Sequence, residues 1–265
     1  MKPLVTMIVP YYRQPNMLRK QLETWAEYPQ HVYEAFDFII VDDCSPEPAE
    51  AVCEKFRQEL IATGNARLPA RGHLYRIDKD VPWNRGMARN LGTKMATTPW
   101  ILHVDTDHVL TAHNAQNLLE TIRSMVGALP KWFRFARRRI GAADETRKKD
   151  KVPPDATNVL IHPHIDSYLT TPEAYWAAGG YNEDFSGVLG GGSPFLKEME
   201  RVNGEPGLLN WPELHVHTRH SVPDSSEHTL PRDPEAFKRR KAEIMKKRGT
   251  LRGHDPIRLP WHKVF

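Results

Sequence analysis

Two aspartates at the end of a short apolar run are the residues of this chain best suited to chemistry. Residues 100–108 read W-I-L-H-V-D-T-D-H, so Asp105 and Asp107 directly follow a run typical of a buried strand. Side chains two positions apart on an extended segment point the same way, so two unpaired carboxylates here would repel each other. Oxygen ligands suit Mg²⁺ or Mn²⁺, and either ion can bind a diphosphate. Two solvated loop aspartates are the alternative, which a D-x-D pattern alone does not exclude.

Composition limits the class of protein. The chain has 265 residues, 40% hydrophobic and 26% charged, which indicates a globular protein of one large or two small domains. No apolar run approaches the roughly 20 residues of a membrane span, and Leu4–Val9 begins too early for a signal peptide. We therefore expect a cytoplasmic protein, in a bacterium or a phage-infected host. Cys44 and Cys53 are too few for a disulfide framework or a four-thiolate zinc site, so we expect reduced thiols.

Positive charge is concentrated in three segments. The net charge is only +4, but basic residues cluster at Arg134–Arg139, Arg147–Lys151 and Lys238–Arg248. Such clusters favour polyanions, namely nucleic acid, phosphorylated glycans or a nucleotide donor. Solvated faces of helices and loops are the alternative for each cluster taken alone.

Strands and helices alternate along the first half of the chain. Hydrophobic spacing predicts these elements in order: strand Leu4–Val9, a helix from Met17 to near Tyr28, strand Phe36–Val41, helix Pro48–Leu60, strand Leu74–Ile77, helix Asn84–Ala96 and strand Trp100–Val104. This order predicts a mostly parallel central sheet flanked by helices. Acidic residues follow three of the strands, so we expect them along the carboxyl edge of the sheet, where ligands of open α/β sheets bind.

The second half has weaker signals. It is predicted to contain helix Asn114–Leu129, strand Trp132–Ala136, strand Ser167–Leu169, and helices at Pro172–Ala178, Pro194–Val202 and Glu235–Lys247. Residues 141–157 have charge, prolines and no periodicity, which suggests an active-site flap. We expect a main domain at residues 1–222 and a basic helix and tail at 223–265.

Six motifs occur in an order that resembles a known family. They are a first strand ending in Pro-Tyr, V-D-D-C-S at 41–45, W-N-R-G-M-A-R-N-L-G at 83–92, V-D-T-D-H at 104–108, A-G-G-Y-N-E-D-F at 178–185 and R-H-S at 219–221. This series resembles the GT-A glycosyltransferases of the family 2 type, particularly small single-domain bacterial and phage enzymes, over residues 3–222. The resemblance implies the GT-A fold and transfer of a sugar from a nucleoside diphosphate, with UDP the expected carrier.

The resemblance also implies which residues bind the donor. The first-strand turn and the V-D-D turn would hold the nucleobase and ribose, and the segment at 83–92 would approach the diphosphate. These candidates are Pro10, Tyr11, Arg13, Asp42, Asp43, Asn84, Arg89 and Asp105. One of the two V-D-D acids has a structural alternative as a helix cap, as does Asn84, and Arg89 could instead pair with a strand-end aspartate.

A metal site follows from the same resemblance. Asp105 and Asp107 would be ligands of Mn²⁺ or Mg²⁺, and His220 of the R-H-S motif would complete the site. Such a metal would neutralise the departing nucleoside diphosphate. The H-P-H-I-D sequence at 162–166 imitates a metal motif, but without a matching set of ligands we interpret it as a strand entry beside the acceptor pocket.

The chain departs from the family pattern at one position. Inverting relatives place a carboxylate after a small glycine-rich turn, where it serves as general base. Here residues 190–194 read G-G-G-S-P, without an acid. Glu198 or another carboxylate, with Asp184 a weaker candidate, could replace it. Otherwise the enzyme is retaining, or the native acid has been replaced, or the chain binds nucleotide-sugar without catalysis.

The acceptor is the least determined feature. The basic segments and the similarity to phage enzymes favour DNA with a hydroxylated pyrimidine as one hypothesis, which requires base flipping in duplex DNA. A glycan or a lipid-linked acceptor is the alternative. A sugar-1-phosphate nucleotidyltransferase would need a glycine-rich loop with Arg and Lys after its first strand. Residues 11–16, Y-Y-R-Q-P-N, contain no glycine, so this class is disfavoured.

Overall fold

One mixed sheet organises the molecule and carries the predicted site at its edge. The computed structural model describes residues 2–64, 72–125, 130–142, 156–225 and 233–265. Within these ranges, ten strands form the sheet in the order β10-β3-β2-β1-β4-β8-β6-β9-β5, with β7 paired to β6. The predicted α/β fold with a central sheet flanked by helices is confirmed.

The first half of the chain builds the parallel part of the sheet. Its elements are β1 (Val5–Tyr11), α1 (Pro15–Ala26), α2 (Gln30–Tyr33), β2 (Phe36–Asp42), α3 (Ala49–Ala62), β3 (Gly72–Ile77), α4 (Arg85–Met95) and β4 (Trp100–His103). β1 pairs in parallel with both β2 and β4, and β2 pairs in parallel with β3. The carboxyl ends of these strands therefore meet at one edge, as the alternation predicts.

The second half adds mainly antiparallel strands. Its elements are β5 (His108–Val109), α5 (Ala112–Ser124), β6 (Trp132–Ile140), β7 (Val159–Ile161), β8 (Tyr168–Thr170), α6 (Pro172–Ala177), a 3₁₀ turn (Glu183–Phe185), α7 (Gly192–Asn203), β9 (Gly207–His217), α8 (Pro234–Arg248) and β10 (Trp261–Lys263). β8 runs antiparallel to β4 and to β6, whereas β9 runs parallel to β6. An antiparallel neighbour needs no helical crossover, so alternation of strands and helices does not reveal it.

The core lies on both faces of the sheet. Along β1, Val5, Met7 and Val9 contribute to one hydrophobic cluster, and Ile8 contributes to the other. This division follows from the two-residue period of a strand. Helix α4 packs so closely on β1 that a Cβ on Gly92 would lie 2.4 Å from Ile8 Cγ2. The N-terminal end of α4 is thereby held beside the carboxyl edge of the sheet.

The C-terminal segment returns to the main body of the protein. β10 pairs antiparallel with β3, and the ring of Phe237 on α8 lies 5.5 Å from that of Phe185. The buried Glu183 carboxylate accepts hydrogen bonds from the backbone N–H groups of Ile257, at 2.6 Å, and Arg258, at 3.1 Å. Part of the predicted family motif therefore anchors this segment.

Two predictions concern residues that the structure describes only in part or not at all. Of the predicted flap at 141–157, residues 143–155 lie outside the described ranges, and they include the basic cluster at 147–151.

Among the described residues, no helix is long and apolar enough to cross a membrane.

Candidate functional site

The site begins where β1, β2 and β4 end. The backbone N–H of Asp43 donates to the Tyr11 carbonyl over 3.0 Å, which ties the loop after β2 to the end of β1. The Thr106 hydroxyl donates to the Pro10 carbonyl over 2.6 Å, which ties the loop after β4 to the same strand. The acidic loops after β2 and β4 are thus both hydrogen-bonded to the end of β1.

Asp105 is the centre of the site. The Arg89 Nη2 of α4 donates to Asp105 Oδ1, and Nδ1 of His164 lies 3.0 Å from Asp105 Oδ2. Burial alone would raise the pKa of Asp105, but the charges of Arg89 and His164 hold that pKa well below its usual value. Asp105 is therefore an ionised carboxylate enclosed by cationic and imidazole groups.

Three side chains at this point form a cluster suited to a metal ion. One ligand atom each from Asp105, His108 and His164 lies within 4.8 Å of the others. His108 Nδ1 bonds to the Ser167 hydroxyl, the kind of contact that orients a ligating imidazole through its other nitrogen. That nitrogen, Nε2, lies 3.4 Å from Arg137 Nη1. One carboxylate and two imidazoles are a donor set that fits Mn²⁺.

The other two predicted metal ligands lie outside this trio. Asp107 Oδ1 lies 4.0 Å from His108 Nε2, and the Asp107 carbonyl accepts a hydrogen bond from the His217 N–H. His220 is exposed in the turn after β9 and is absent from the cluster. His217, three residues earlier, is buried, and burial lowers its pKa to about 4. Asp107 is thus adjacent to the cluster, and the role of His220 stays a prediction.

The two acids after β2 have different surroundings. Asp42 accepts hydrogen bonds from the backbone N–H groups of Ser45 and Ala49 and forms a 2.6 Å ion pair with Arg76. Asp43 has one side-chain partner, Asn84, whose Nδ2 donates to Oδ1 over 2.8 Å. Asp42 therefore stabilises the turn and the start of α3, while Asp43 joins the loop after β2 to the residue before α4.

Asn84 connects two loops through its side chain. It occupies the position before α4, yet its side chain makes no helix-capping hydrogen bond. Instead its amide donates to Asp43, and its carbonyl accepts a hydrogen bond from the Ser186 hydroxyl at 2.7 Å. The structural alternative of a capping side chain is thus not realised.

The first-strand turn presents a different tyrosine from the one predicted. Tyr11 is buried in the core, and its hydroxyl donates to the Glu47 carbonyl over 2.7 Å. Tyr12 is half-buried, and the Arg13 guanidinium carbon lies 5.3 Å from its ring centre. Tyr11 therefore belongs to the core, whereas Tyr12, which follows the strand, has a partly exposed ring.

The two candidate general bases are both engaged in ion pairs. Glu198 on α7 lies 2.9 Å from Arg201 Nη2. Asp184 pairs with Arg258 at 2.7 Å and with Arg248 at 2.9 Å, so it holds the C-terminal segment. Neither carboxylate belongs to the cluster around Asp105.

Comparisons with known proteins can be set against this geometry. The sequence profile described as "Glycosyl transferase family 2" matches residues 6–139, which is more than half of the chain. The chain belongs to glycosyl transferase family 2. A search of curated proteins gave no match.

Solved structures of other glycosyltransferases have the same fold. A structure of Staphylococcus aureus TarS 1–349 with UDP-GlcNAc is similar with a TM-score of 0.60 and 16% identity, over 92% of this chain and 66% of that one. The mannosyltransferase PcManGT from Pyrobaculum calidifontis, in complex with GDP-Man and Mn²⁺, is similar with a TM-score of 0.51 and 15% identity, over 92% of this chain and 62% of that one. The family 2 chain described here therefore spans just under two thirds of the length of the chains in these two structures, and 39% of the chain in another structure of TarS.

A pocket lies beside the N-terminal end of α4 in this family 2 chain. Its lining includes Arg85, Tyr181 and the glycines of the 190–192 turn. Each of these glycines is packed closely: a Cβ would meet Phe237 at residue 190, Phe185 at residue 191 and Asp166 at residue 192. The glycine-rich turn is therefore an enclosed wall of the pocket.

Three side chains described here, His108, His164 and Asp166, are not among the site residues expected from the sequence. His164 and Asp166 lie in the H-P-H-I-D segment, for which the sequence predicts a strand entry without matching ligands. In the structure β8 pairs with β4, which brings this segment against Asp105. Because that pairing joins residues 65 to 69 positions apart, the spacing within the segment could not reveal it.

Proposed function

We propose that this chain transfers a sugar from a UDP donor to an acceptor hydroxyl, with a divalent cation bound by Asp105, His108 and His164. The observation that carries the proposal is the convergence of these three side chains at the end of β4. The cluster lies at the carboxyl edge of the sheet, next to the loops after β1 and β2. This is the place where a donor diphosphate binds in open α/β sheets.

The donor fits the adjoining loops. The Asp43 carboxylate can accept an N–H of the base or a ribose hydroxyl, while the Tyr12 ring and Arg13 offer a stacking face and a charge. Arg89 has two nitrogens, Nε and Nη1, that are buried and lack hydrogen-bond partners among the described residues. UDP is the proposed nucleotide because TarS, a similar structure, is solved with UDP and with UDP-GlcNAc.

The chemistry required of the site is electrostatic. As the bond between the sugar and the diphosphate breaks, negative charge develops on the departing phosphate. Arg89 of α4, which is buried and paired with Asp105, supplies fixed positive charge at this place, and the partly exposed Arg85 at the start of α4 can add a second charge. A bound Mn²⁺ or Mg²⁺ would add further neutralisation of the leaving group. Asp105 positions both Arg89 and His164 through its two oxygens.

For the acceptor we propose DNA with a hydroxylated pyrimidine. The support is the location of α8, whose Phe237 packs on Phe185 and Gly190 at the wall of the pocket. Lys241, Lys246 and Lys247 of this helix are exposed, and none has an ion-pair partner among the described residues. A polyanion bound along α8 would lie next to the pocket. An uncharged glycan acceptor would not need this positive surface.

A transfer and binding experiment tests the metal-dependent function. The purified protein is incubated with UDP-glucose, UDP-galactose and UDP-GlcNAc, with DNA containing 5-hydroxymethyluracil or with oligosaccharides, with and without Mn²⁺. We expect UDP release and a mass increase of one sugar on the DNA, lost in excess EDTA. We expect the variants D105N, H108A and H164A to weaken Mn²⁺ binding, measured by electron paramagnetic resonance, at least tenfold.

Two further variants serve as comparisons. His113 is a histidine outside the site that stacks on Trp211 at 5.2 Å, so H113A should bind Mn²⁺ as the unaltered protein does. H220A tests the ligand expected from the sequence. Undiminished turnover in EDTA contradicts the metal dependence, and UDP binding without any turnover identifies a non-catalytic binding module.

A further inference from the structure

The Gly192 position lacks the carboxylate that the family pattern leads one to expect, and another carboxylate fills the space. A Cβ built on Gly192 would lie 2.4 Å from Asp166 Oδ1 and 3.3 Å from Asp166 Oδ2. The Asp166 side chain therefore lies where a side chain of residue 192 would begin. An aspartate in this position at 166 requires a glycine at 192, because a larger residue at 192 would collide with the carboxylate.

The surroundings of Asp166 are unusual for a structural acid. Its side chain is fully buried, and the Tyr181 hydroxyl donates to Oδ1 over 3.0 Å. Arg85 Nη1 lies 3.0 Å from Oδ2, but Oδ2 accepts no aligned hydrogen bond from any described residue. The Arg85 guanidinium balances the charge of this buried carboxylate, and Oδ2 remains able to accept a hydrogen bond.

Asp166 also lies between the two parts of the site. Its backbone N–H approaches His164 Nδ1 at 3.3 Å, and His164 contacts Asp105. Three residues that contact its carboxylate, Arg85, Tyr181 and Gly192, line the pocket. The carboxylate therefore lies behind the pocket wall, on the side that faces the proposed diphosphate site.

We propose that Asp166 is the general base of the transfer reaction, in place of an acid on the glycine-rich turn. The proposal rests on the function proposed above. The acceptor oxygen forms a bond to the anomeric carbon of the sugar, and the bond from that carbon to the diphosphate oxygen breaks. The nucleoside diphosphate leaves with the electron pair, and the acceptor proton passes to Asp166 Oδ2. This single displacement inverts the anomeric centre.

Arg85 controls access to the carboxylate. It is 30% exposed and covers Oδ2 in the protein without substrate. Both Asp105 and Asp166 attract its charge, so it lies within reach of the diphosphate site. A donor diphosphate offers Arg85 a more highly charged partner, and its movement there uncovers Oδ2 for the acceptor hydroxyl.

The test compares removal of the carboxylate with its relocation. D166N and D166A remove it, and the double variant D166A/G192D places an aspartate on the turn after clearing the space it needs. Turnover is measured as UDP release from UDP-glucose with water as acceptor, and as transfer to DNA containing 5-hydroxymethyluracil. UDP affinity and thermal unfolding are measured on each variant.

We expect D166N and D166A to lower kcat at least 100-fold, with UDP affinity changed less than threefold. The double variant should recover at least tenfold over D166A. Glu213 of β9 is another buried carboxylate, and it forms an ion pair with Arg138 of β6. Because Glu213 has no part in the proposed reaction, E213Q should keep wild-type turnover. If D166N does not fold, the double variant decides the matter by itself, since it retains an acid at the same place.

Other results overturn the assignment. A D166N protein that keeps more than a third of the wild-type kcat shows that another group accepts the proton. A folded double variant that binds UDP but has no more turnover than D166A also overturns it. An inactive wild-type protein refutes the proposed function, and the role of Asp166 with it.

Discussion

Asp43 shows how a single residue of the site responds to its environment. Burial raises the pKa of its carboxyl to about 7, against a hydrogen bond from Asn84 that lowers it. In the unfolded chain the same group has a pKa of about 3.9. Between these values the folded protein keeps a proton that the unfolded chain has lost. Stability from this group is therefore fully present below about pH 4 and is lost as the pH rises through about 7.

The pH dependence of stability tests this assignment. The substitution D43N removes the titrating group and keeps an acceptor for Asn84. The difference in free energy of unfolding, D43N minus wild type, should be larger at pH 8 than at pH 5 by about 2 kcal/mol, because only the wild type loses stability as Asp43 titrates. Urea denaturation at both pH values measures the difference. Parallel pH profiles for the two proteins would show that Asp43 titrates normally.

At this same scale, the sequence predicts some partners and not others. The pairing of Arg89 with a strand-end aspartate was one of the two roles expected for it, and Arg89 does bond to Asp105. Asp105 could be identified from the sequence because it belongs to a continuous motif, V-D-T-D-H at 104–108. His164 and Asp166 have no such local signal, because their contacts with Asp105 and Gly192 depend on strand pairing. Tertiary contacts of this kind need the sheet order, which local spacing does not specify.

Among the elements, α4 has the most demanding position. It places Asn84, Arg85 and Arg89 against three different loops, and its register on β1 depends on a glycine facing Ile8. A helix this close to the sheet cannot slide or rotate without a collision. The glycine therefore fixes where the arginines of the site point.

Substitution at this contact gives a prediction about packing. G92A should lower the free energy of unfolding by about 2 kcal/mol, because overpacking exceeds the better helix propensity of alanine. In the double variant I8A/G92A the space is restored, so its loss should be smaller than the sum of the two single losses.

A control for this experiment exists on β3. A Cβ on Gly72 would meet nothing within 4 Å, so G72A should leave stability nearly unchanged. Chemical denaturation of all four proteins measures these differences. Additive losses for Ile8 and Gly92 would contradict the close approach of α4 to β1.

Prediction of the elements was strongest where their period is clear. The strands and helices of the first half occur within a few residues of the expected positions, since each has a hydrophobic face of regular spacing. β5, β7 and β10 have two or three residues each, too few to show a period, and they were missed, whereas β8, also of three residues, was expected. The antiparallel strands of the second half were only partly expected, and they carry the unexpected half of the site.

For the molecule as a whole, part of the positive charge on α8 makes no contact that stabilises the fold. Arg240 and Arg248 anchor the helix through Asp184. Lys241, Lys246 and Lys247 have no ion-pair partner among the described residues. Only Ile244 of this helix is buried. A helix with so little buried surface keeps its place through polar anchors, and its outer face is available to a phosphate backbone.

DNA binding should reveal this surface through its salt dependence. We expect K241A/K246A/K247A to weaken binding to a duplex and to reduce the slope of log K against log salt by about 2. Fluorescence anisotropy from 50 to 200 mM salt measures both effects. A matched triple alanine variant at Lys55, Lys94 and Lys131, which are exposed on other parts of the molecule, should keep the original slope. Equal slopes for both triple variants would exclude α8 as the DNA contact.

The pairing of β10 with β3 has a consequence for how copies of the protein behave together. Val264 donates to the Leu74 carbonyl over 2.8 Å, and Asp78 donates to the Pro260 carbonyl over 2.9 Å. These bonds pair the edge strand β3, whose peptide groups could otherwise hydrogen-bond to a strand of a neighbouring chain. A short, weakly patterned segment thus shields the protein from self-association, and its loss would favour aggregates before it harmed the catalytic centre.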